Sequence, residues 1–175
     1  MTIHSSHPFR DPEADPVRRL RGRLGGAVTL WTAGEGEDVF EWAGLTVTSV
    51  LVANGEPARL LALVDPDSAF ADVLEATGRA VVAVLTWDDR DLADAFAGTA
   101  PAPGGPFRQA EFTSSPWGPR LTRVATWAGV QLESATPVGW SSLVTAVVEE
   151  VTVGEDDPLI HRRGRYLRPL DGSPD

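Results

Sequence analysis

The chain consists largely of short apolar runs, each closed by glycine, proline, aspartate or serine. Runs of five or six residues rich in valine, leucine and threonine occur at 27–32, 59–64 and 80–85, and longer ones at 123–136 and 142–153. Such runs are typical of strands. With a strand at 39–47 and a closing pair near 158–167, the pattern predicts six or seven strands. Helical spacing at 15–23, 69–76 and 88–96 adds two or three short helices. The prediction is a mainly β fold with short α-helices, closed or nearly closed into an antiparallel barrel that hides its edges.

Charge limits the partners. The 175 residues carry 15 basic and 25 acidic side chains, a formal net charge of -10. A long polyanion is repelled by such a chain unless a strongly basic face is segregated, so we expect no nucleic-acid partner. The basic residues include two short runs, one near each end: Arg18, Arg19, Arg21 and Arg23, and Arg162, Arg163, Arg165 and Arg168.

Cysteine and lysine are both absent. Their absence excludes disulfides, thiolate metal sites, Schiff-base chemistry and the lysine of a phosphate-binding P-loop. If the protein catalyses a reaction, we expect a cofactor to carry it. The sequence shows neither a signal-peptide pattern nor an apolar stretch near the roughly 20 residues that span a bilayer. We therefore expect a cytoplasmic protein with no membrane partner.

A row of hydroxyl side chains follows Gly44. Thr46, Thr48 and Ser49 could donate hydrogen bonds to phosphate or ribityl oxygens, and backbone amides between them could meet the edge of a flat ring. Thr46 and Thr48 share one face of a strand, so a continuous row of donors requires a bend at Ser49. The alternative is that these residues serve only as strand and turn formers.

The stretch from Gly44 to Pro57 resembles the signature of the flavin reductase-like FMN-binding split-barrel family: a glycine, Thr-x-Thr-Ser, then a proline before the next apolar strand. Further landmarks follow in the family's order, including Leu92 to Ala97, Pro119-Arg120-Leu121 and the closing Pro158-Leu159-Ile160-His161. The resemblance implies a Greek-key split barrel over residues 15–170, with a flexible segment at 1–14 and a tail at 171–175.

The same resemblance implies a ligand and a partner. It implies an FMN-binding protein, with FAD also possible, that acts as an NAD(P)H-dependent flavin reductase-like oxidoreductase and forms a homodimer with the flavin near the interface. By match to the family, the cofactor-binding residues are Thr46, Thr48, Ser49, Asn54 and Ser68. Ser68 also reads as an ordinary helix cap, and both roles are compatible. No residue is assigned a catalytic role.

The chain also departs from the family. Gly139-Trp140-Ser141 stands where the family carries Gly-Asp-His, and Ala80 and Ala83 replace a phenylalanine and an asparagine. These departures keep open a barrel that binds flavin or another flat ligand without NAD(P)H turnover. A deazaflavin-using oxidoreductase is a third reading.

Other polar residues leave several alternatives open. No metal site is expected from the histidines His4, His7 and His161, although His161 lies in the closing motif and could approach a flavin. The phosphate's counterion could be Arg79, Arg90 or Arg108, and the sequence does not choose. The acidic residues between Asp88 and Asp94 are interpreted as helix-start acids on a solvated face.

Overall fold

The computed structural model describes residues 15–168, so the predicted flexible segment 1–14 and tail 171–175 lie outside the described residues. The described part contains three α-helices and twelve strands. The helices are α1 Pro16–Leu24, α2 Ala69–Thr77 and α3 Arg90–Phe96. The strands are β1 Gly26–Ala27, β2 Thr29–Ala33, β3 Ala43–Val47, β4 Val50–Ala53, β5 Arg59–Val64, β6 Arg79–Val84, β7 Phe112–Ser115, β8 Gly118–Leu121, β9 Trp127–Val138, β10 Ser141–Thr152, β11 Ile160–Arg162 and β12 Arg165–Leu167.

One seven-stranded sheet dominates. Its order is β3-β2-β6-β9-β10-β5-β4, and every pair in it is antiparallel. A second sheet, β1-β11-β12, and the hairpin β7-β8 complete the described part. The predicted mainly β fold with short helices is confirmed.

The order of the strands shows how the large sheet curls. Strands β3 and β4 lie at opposite edges of the sheet, yet only Thr48 and Ser49 separate them along the chain. Three virtual bonds of about 3.8 Å join Val47 to Val50, so the two edges approach within about 11 Å there. The sheet therefore curls into an incomplete barrel. We call this junction, Thr48 and Ser49, the seam.

Two apolar clusters pack on the sheet. One contains Trp31 and Phe70, which meet edge to face at 6.3 Å between ring centroids, and it lies under α2. The other lies under α3 and contains Leu30, Phe96 and Phe107. Helices α2 and α3 therefore cover the sheet by burying one face each, as short amphipathic helices do.

Local signals set most helix ends. The Asp15 side chain accepts a hydrogen bond from the Val17 amide, and Ser68 accepts one from the Ala71 amide, so both act as the predicted N-caps. Gly78 ends α2 in the left-handed conformation with φ of 70°. The sequence prediction located these helices correctly because their signals are local.

The prediction of strand at 39–47 was wrong in its first part. Residues Val39–Glu41 form a 3-10 turn, because the Asp38 side chain caps it by accepting from the Phe40 amide. Strand β3 starts only at Ala43. The hairpin β7-β8 was not predicted, and the long strand predicted from 123 begins at Trp127.

The long β9-β10 hairpin contains a bulge next to an ion pair. Ser134 pairs with Thr145 and Leu132 with Ala146, so Glu133 is the extra residue of β9. Its carboxylate accepts two hydrogen bonds from the Arg59 guanidinium, at 2.7 and 2.6 Å. These bonds, more than the charge itself, hold the pKa of Glu133 below its ordinary value.

No α-helix among residues 15–168 combines the length and the apolar character needed to cross a bilayer.

Candidate functional site

The seam is open to solvent on one side and tightly packed on the other. Thr48 and Ser49 are exposed. On the packed side, a Cβ added to Gly26 would lie 2.6 Å from the Thr48 carbonyl oxygen. Strand β1, which contains Gly26, pairs with β11 and thereby holds His161 opposite Gly26. The seam is thus supported by a strand that tolerates no side chain at this position.

Three of the predicted hydroxyls already donate their protons within the protein. Thr46 donates to the Ala93 carbonyl at 2.7 Å, Ser49 to the Leu63 carbonyl at 2.9 Å, and Ser68 to the Asp65 carbonyl at 2.7 Å. A hydroxyl has one proton, so these three cannot donate to an anion in this arrangement. Thr48 is exposed, and its side chain makes no hydrogen bond to any residue between 15 and 168. It is the predicted hydroxyl best placed to meet a ligand.

The structure brings four of the five predicted residues to the seam side of the sheet and leaves the fifth away from it. Ser49 pairs with Leu63 near the end of β5, and Ser68 follows in the next turn. Asn54 comes after the far end of β4, where Ala53 pairs with Arg59. The four-residue strand separates Asn54 from Ser49 by about 13 to 17 Å.

An apolar surface adjoins the seam. Leu51 and Leu63 are 69% and 42% exposed, and register places them on one outer face of the sheet with Leu61 and Leu143. We call these four residues the seam patch. Leu61 and Leu143 are half-buried, and together with the two exposed leucines they form an apolar surface of the kind that a ligand or partner covers.

The departure Gly139-Trp140-Ser141 lies close to the same surface. It forms the turn of the β9-β10 hairpin, and Trp140 is 98% exposed. Leu143 of β10 pairs with Leu63, which is in turn bonded to Ser49, so these three residues lie side by side across the sheet. Trp140 precedes Leu143 by three residues along the chain. Ser141, which stands at the position of the family's histidine, begins β10 on this side of the sheet, and the exposed indole of Trp140 precedes it.

A polar contact lies behind the seam and involves the closing strands. The Tyr166 hydroxyl donates to Asp94 at 2.5 Å, and the Tyr166 ring meets that of His161 at 5.4 Å between centroids. Burial and then the Asp94 carboxylate raise the pKa of Tyr166 above its ordinary value. Thr46 of β3 bonds to Ala93, the neighbour of Asp94. One turn of α3 therefore contacts both β3 and the β11-β12 hairpin. The sequence analysis did not identify this contact.

The three arginines considered as counterions of the phosphate lie at three different places in the fold. Arg79 begins β6, and the seam lies beyond the other end of that strand, about 17 Å away. Arg108 follows the aromatic cluster around Phe107. Arg90 opens α3 with its guanidinium carbon 3.8 Å from the Trp87 ring centroid. The Nη1 atom of Arg90 is buried and has no hydrogen-bond partner among residues 15–168.

The acidic run before α3 is structural rather than a uniformly solvated face. Asp89 is buried, and it accepts hydrogen bonds from the Thr86 amide and hydroxyl and from Arg123. Its side chain is 2% exposed against 47% for Arg123. The interpretation of this run as solvated acids was therefore wrong for Asp89, while Asp88 is exposed as expected.

Two cavities in the described part lie elsewhere. The larger, about 480 Å³, is lined by Trp42, Phe107 and Phe112 among others. The smaller, about 270 Å³, is lined by Arg79 and Trp117 among others. Neither cavity is lined by Thr46, Thr48, Ser49 or Ser68. The cavities and the seam are therefore separate features of the monomer.

Known proteins share both sequence and fold with this chain. Two curated relatives, NADH:FMN oxidoreductases of Rhodococcus qingshengii and Rhodococcus erythropolis, are each 28% identical over 137 residues, covering 72% of this chain and 68% of the relative. A flavin reductase domain protein of Arthrobacter sp. FB24 superposes with a TM-score of 0.76 at 25% identity, covering 91% of this chain and 97% of that one.

A solved complex has the same fold. The NADH:FAD oxidoreductase of Streptomyces globisporus C-1027, crystallised with NAD and FAD fragments, superposes with a TM-score of 0.79 at 19% identity, covering 90% of this chain and 93% of that one. The profile of the flavin reductase like domain matches residues 21–169, which include the seam, α3 and the closing hairpin. By that match over most of its length, the chain belongs to the flavin reductase-like family.

Proposed function

We propose that this protein is an NAD(P)H-dependent flavin reductase that binds FMN at the seam. The observation that carries the proposal is the exposed Thr48, whose hydroxyl has no partner among residues 15–168, beside the apolar seam patch in a chain of this family. A flavin presents an anionic phosphate and a flat ring, so it requires a donor and an apolar surface side by side. When bound, the flavin accepts hydride from NAD(P)H and passes electrons to a further acceptor.

The chain's own residues bind and orient in this proposal. Thr48 donates to the flavin, and the leucines of the seam patch support the ring. Ser49 and Thr46 hold the seam in shape through their bonds to Leu63 and Ala93. Ser68 caps α2 nearby, where helix amides favour an anion. Asn54 belongs to this site only if a second subunit supplies its surroundings.

A homodimer completes the site in this proposal. Leu51, Leu63 and Trp140 are exposed in the monomer, Leu61 and Leu143 are half-buried, and Thr48 lines neither of the two cavities described above. A second copy covering them would shield the ring from water. The domain over residues 15–170 and a cytoplasmic location remain predictions.

The preference for FMN over FAD rests on the two Rhodococcus relatives, which are NADH:FMN oxidoreductases. Steady-state oxidation of NADH and NADPH, each with added FMN or FAD, tests both the reaction and the flavin. Turnover above a flavin-only control is expected, with the lower KM for FMN.

A pair of isosteric variants tests the site. Loss of a hydrogen bond to a charged group corresponds to about 1.5 to 3 kcal/mol, so Thr48→Val should weaken FMN binding by roughly tenfold to a hundredfold. Thr152→Val is the matched control. Thr152 is an exposed strand threonine on β10, which lies four strands away from the β3 strand that contains Thr46. Equal FMN affinities for the two variants would refute the proposed site.

A second function is favoured by one observation. The fully exposed Trp140 occupies the turn where the family carries Gly-Asp-His, and an indole stacks on flat rings but cannot transfer a proton. A protein that retains flavin yet fails to oxidise NADH or NADPH would be a binding module. Reduction of a deazaflavin in place of FMN would instead support the third reading.

A further inference from the structure

The two arginine runs, which are about 140 residues apart in sequence, meet in space. The Arg163 amide donates to the Gly22 carbonyl at 2.8 Å, so the turn between β11 and β12 is bonded to α1. A Cβ on Gly25, the residue that ends α1, would lie 3.2 Å from the Arg162 side chain. These contacts bring Arg162 and Arg163 against α1, so that seven exposed arginines on the helix and the hairpin lie in one region of the molecule, which we call the arginine face: Arg18, Arg19, Arg21, Arg23, Arg162, Arg163 and Arg165.

The arginine face opposes the charge of the rest of the molecule. It holds seven of the fifteen basic residues of a chain whose net charge is -10. None of the seven makes a salt bridge with a carboxylate of residues 15–168. A grouped and unpaired set of arginines produces a local positive potential on an otherwise acidic protein.

Arg163 shows that arginine is retained at a position that disfavours it. It has φ of 54°, and it is the only non-glycine residue with positive φ between 15 and 168. With Gly164 at φ of 76°, it forms the two-residue turn of the hairpin, where both positions require positive φ and asparagine or glycine is preferred. Arginine at this turn therefore carries backbone strain that asparagine or glycine would avoid.

The arginine face borders the seam. Arg162 follows His161, which pairs with Gly26, and Gly26 packs against the Thr48 carbonyl. Because β1 lies on the packed side of the seam, a ligand that meets the exposed side of Thr48 must extend around β1 to reach the arginines. FMN has a single phosphate, whereas FAD and NAD(P)H carry a pyrophosphate and an adenosine beyond their reactive ring.

We propose that the arginine face binds the pyrophosphate or ribose phosphate of a dinucleotide whose reactive ring occupies the seam. Guanidinium groups suit phosphate oxygens because they present paired donors. The proposal rests on the proposed function for the position of the ring, and it adds the residues that distinguish a dinucleotide from FMN.

The test uses Arg163→Asn, which removes the charge and supplies a residue that favours the turn. Binding of NADPH, FAD and FMN to the full-length protein is titrated by fluorescence at low salt and without turnover. We expect Arg163→Asn to weaken NADPH or FAD binding about threefold to tenfold, to leave FMN within twofold, and to keep or raise the melting temperature. The combined variant Arg162→Gln, Arg163→Asn should bind NADPH or FAD more weakly still, and added salt should reduce the difference in affinity between this variant and the wild type.

The matched control is Arg79→Ala, an exposed arginine at the opposite end of the sheet. Weaker NADPH binding alone identifies the nicotinamide dinucleotide as the ligand, and weaker FAD binding alone identifies the flavin; either supports the proposal. Unchanged affinity for both, or an equal loss in Arg79→Ala, overturns it. A loss confined to a short DNA duplex, with both dinucleotides unaffected, also overturns it. Because no turnover is required, an inactive protein with arginine-dependent binding would contradict only the proposed reductase.

Discussion

Replacing Gly26 with alanine would test whether the packed side of the seam positions Thr48. The added Cβ would lie 2.6 Å from the Thr48 carbonyl oxygen and 3.6 Å from its carbonyl carbon. Real Cβ atoms essentially never approach an atom closer than 3.0 Å, so one of the two strands must move by several tenths of an ångström. The obstacle is backbone rather than the end of a flexible side chain, and therefore it cannot rotate away.

The size of the effect follows from overpacking. Inserting one methyl group into a filled contact costs about 1 to 3 kcal/mol when the neighbours cannot relax. For a domain of this size each kcal/mol lowers the melting temperature by roughly 2 to 4 °C. We expect Gly26→Ala to melt roughly 2 to 12 °C lower. Because the displaced group is the Thr48 peptide, FMN affinity should also fall, by at least about threefold.

Thermal unfolding and flavin titration of the same preparation separate the two effects. The matched control is Gly22→Ala in α1, where the nearest heavy atom to an added Cβ is 3.9 Å away, an ordinary contact. Alanine favours a helix interior over glycine by about 1 kcal/mol, so this control should be as stable as wild type or more so, with unchanged FMN affinity. If Gly26→Ala loses stability but keeps its FMN affinity, Thr48 does not position the flavin. If it loses neither, the reasoning about the close contact is wrong.

Three further predictions concern ionisable groups, each measured by urea unfolding. The raised pKa of Tyr166 contributes stability that is present below pH about 10 and lost at higher pH, so Tyr166→Phe should show less alkaline loss between pH 9 and 11 than wild type. The lowered pKa of Glu133 contributes stability that is present above about pH 4.5 and lost on acidification, so Glu133→Gln should lose less stability in acid than wild type; equal losses would contradict the role of Arg59. Asp89→Asn should cost about 1 to 3 kcal/mol, because it weakens charge-assisted bonds at a buried site, whereas exposed Asp88→Asn should cost little; equal losses would contradict the assignment.

Local sequence signals were sufficient for most elements of the fold. Strand β5 at Arg59–Val64 and helix α2 at Ala69–Thr77 were predicted within a residue, since a short apolar run and a serine cap are readable from neighbouring positions. The 3-10 turn at Val39–Glu41 was missed because its β-branched and aromatic residues favour strand, while a single Asp38 cap decides the outcome. Competition between propensity and one hydrogen bond is not visible in a pattern of residue types.

The site was predictable in its residues but not in its arrangement. The hydroxyls after Gly44 stood out from the strand pattern. Nothing in the sequence showed that Thr46 and Ser49 would donate their hydroxyl protons to the Ala93 and Leu63 carbonyls. The close approach of Gly26 and the meeting of two distant arginine runs depend on long-range packing. Such contacts require the paired register of strands far apart in the chain.

The seam explains why a binding site forms at this position in the fold. In a closed barrel every strand edge is paired, so the backbone groups between strands are fully used. Here β3 and β4 occupy opposite edges and are joined by two residues, so the barrel cannot close along their length, yet its edges cannot separate at Thr48 and Ser49. The junction is therefore held in place without being covered. A hydroxyl there is positioned by the sheet on both sides while still facing solvent, and an anionic ligand can meet it without displacing any strand pairing.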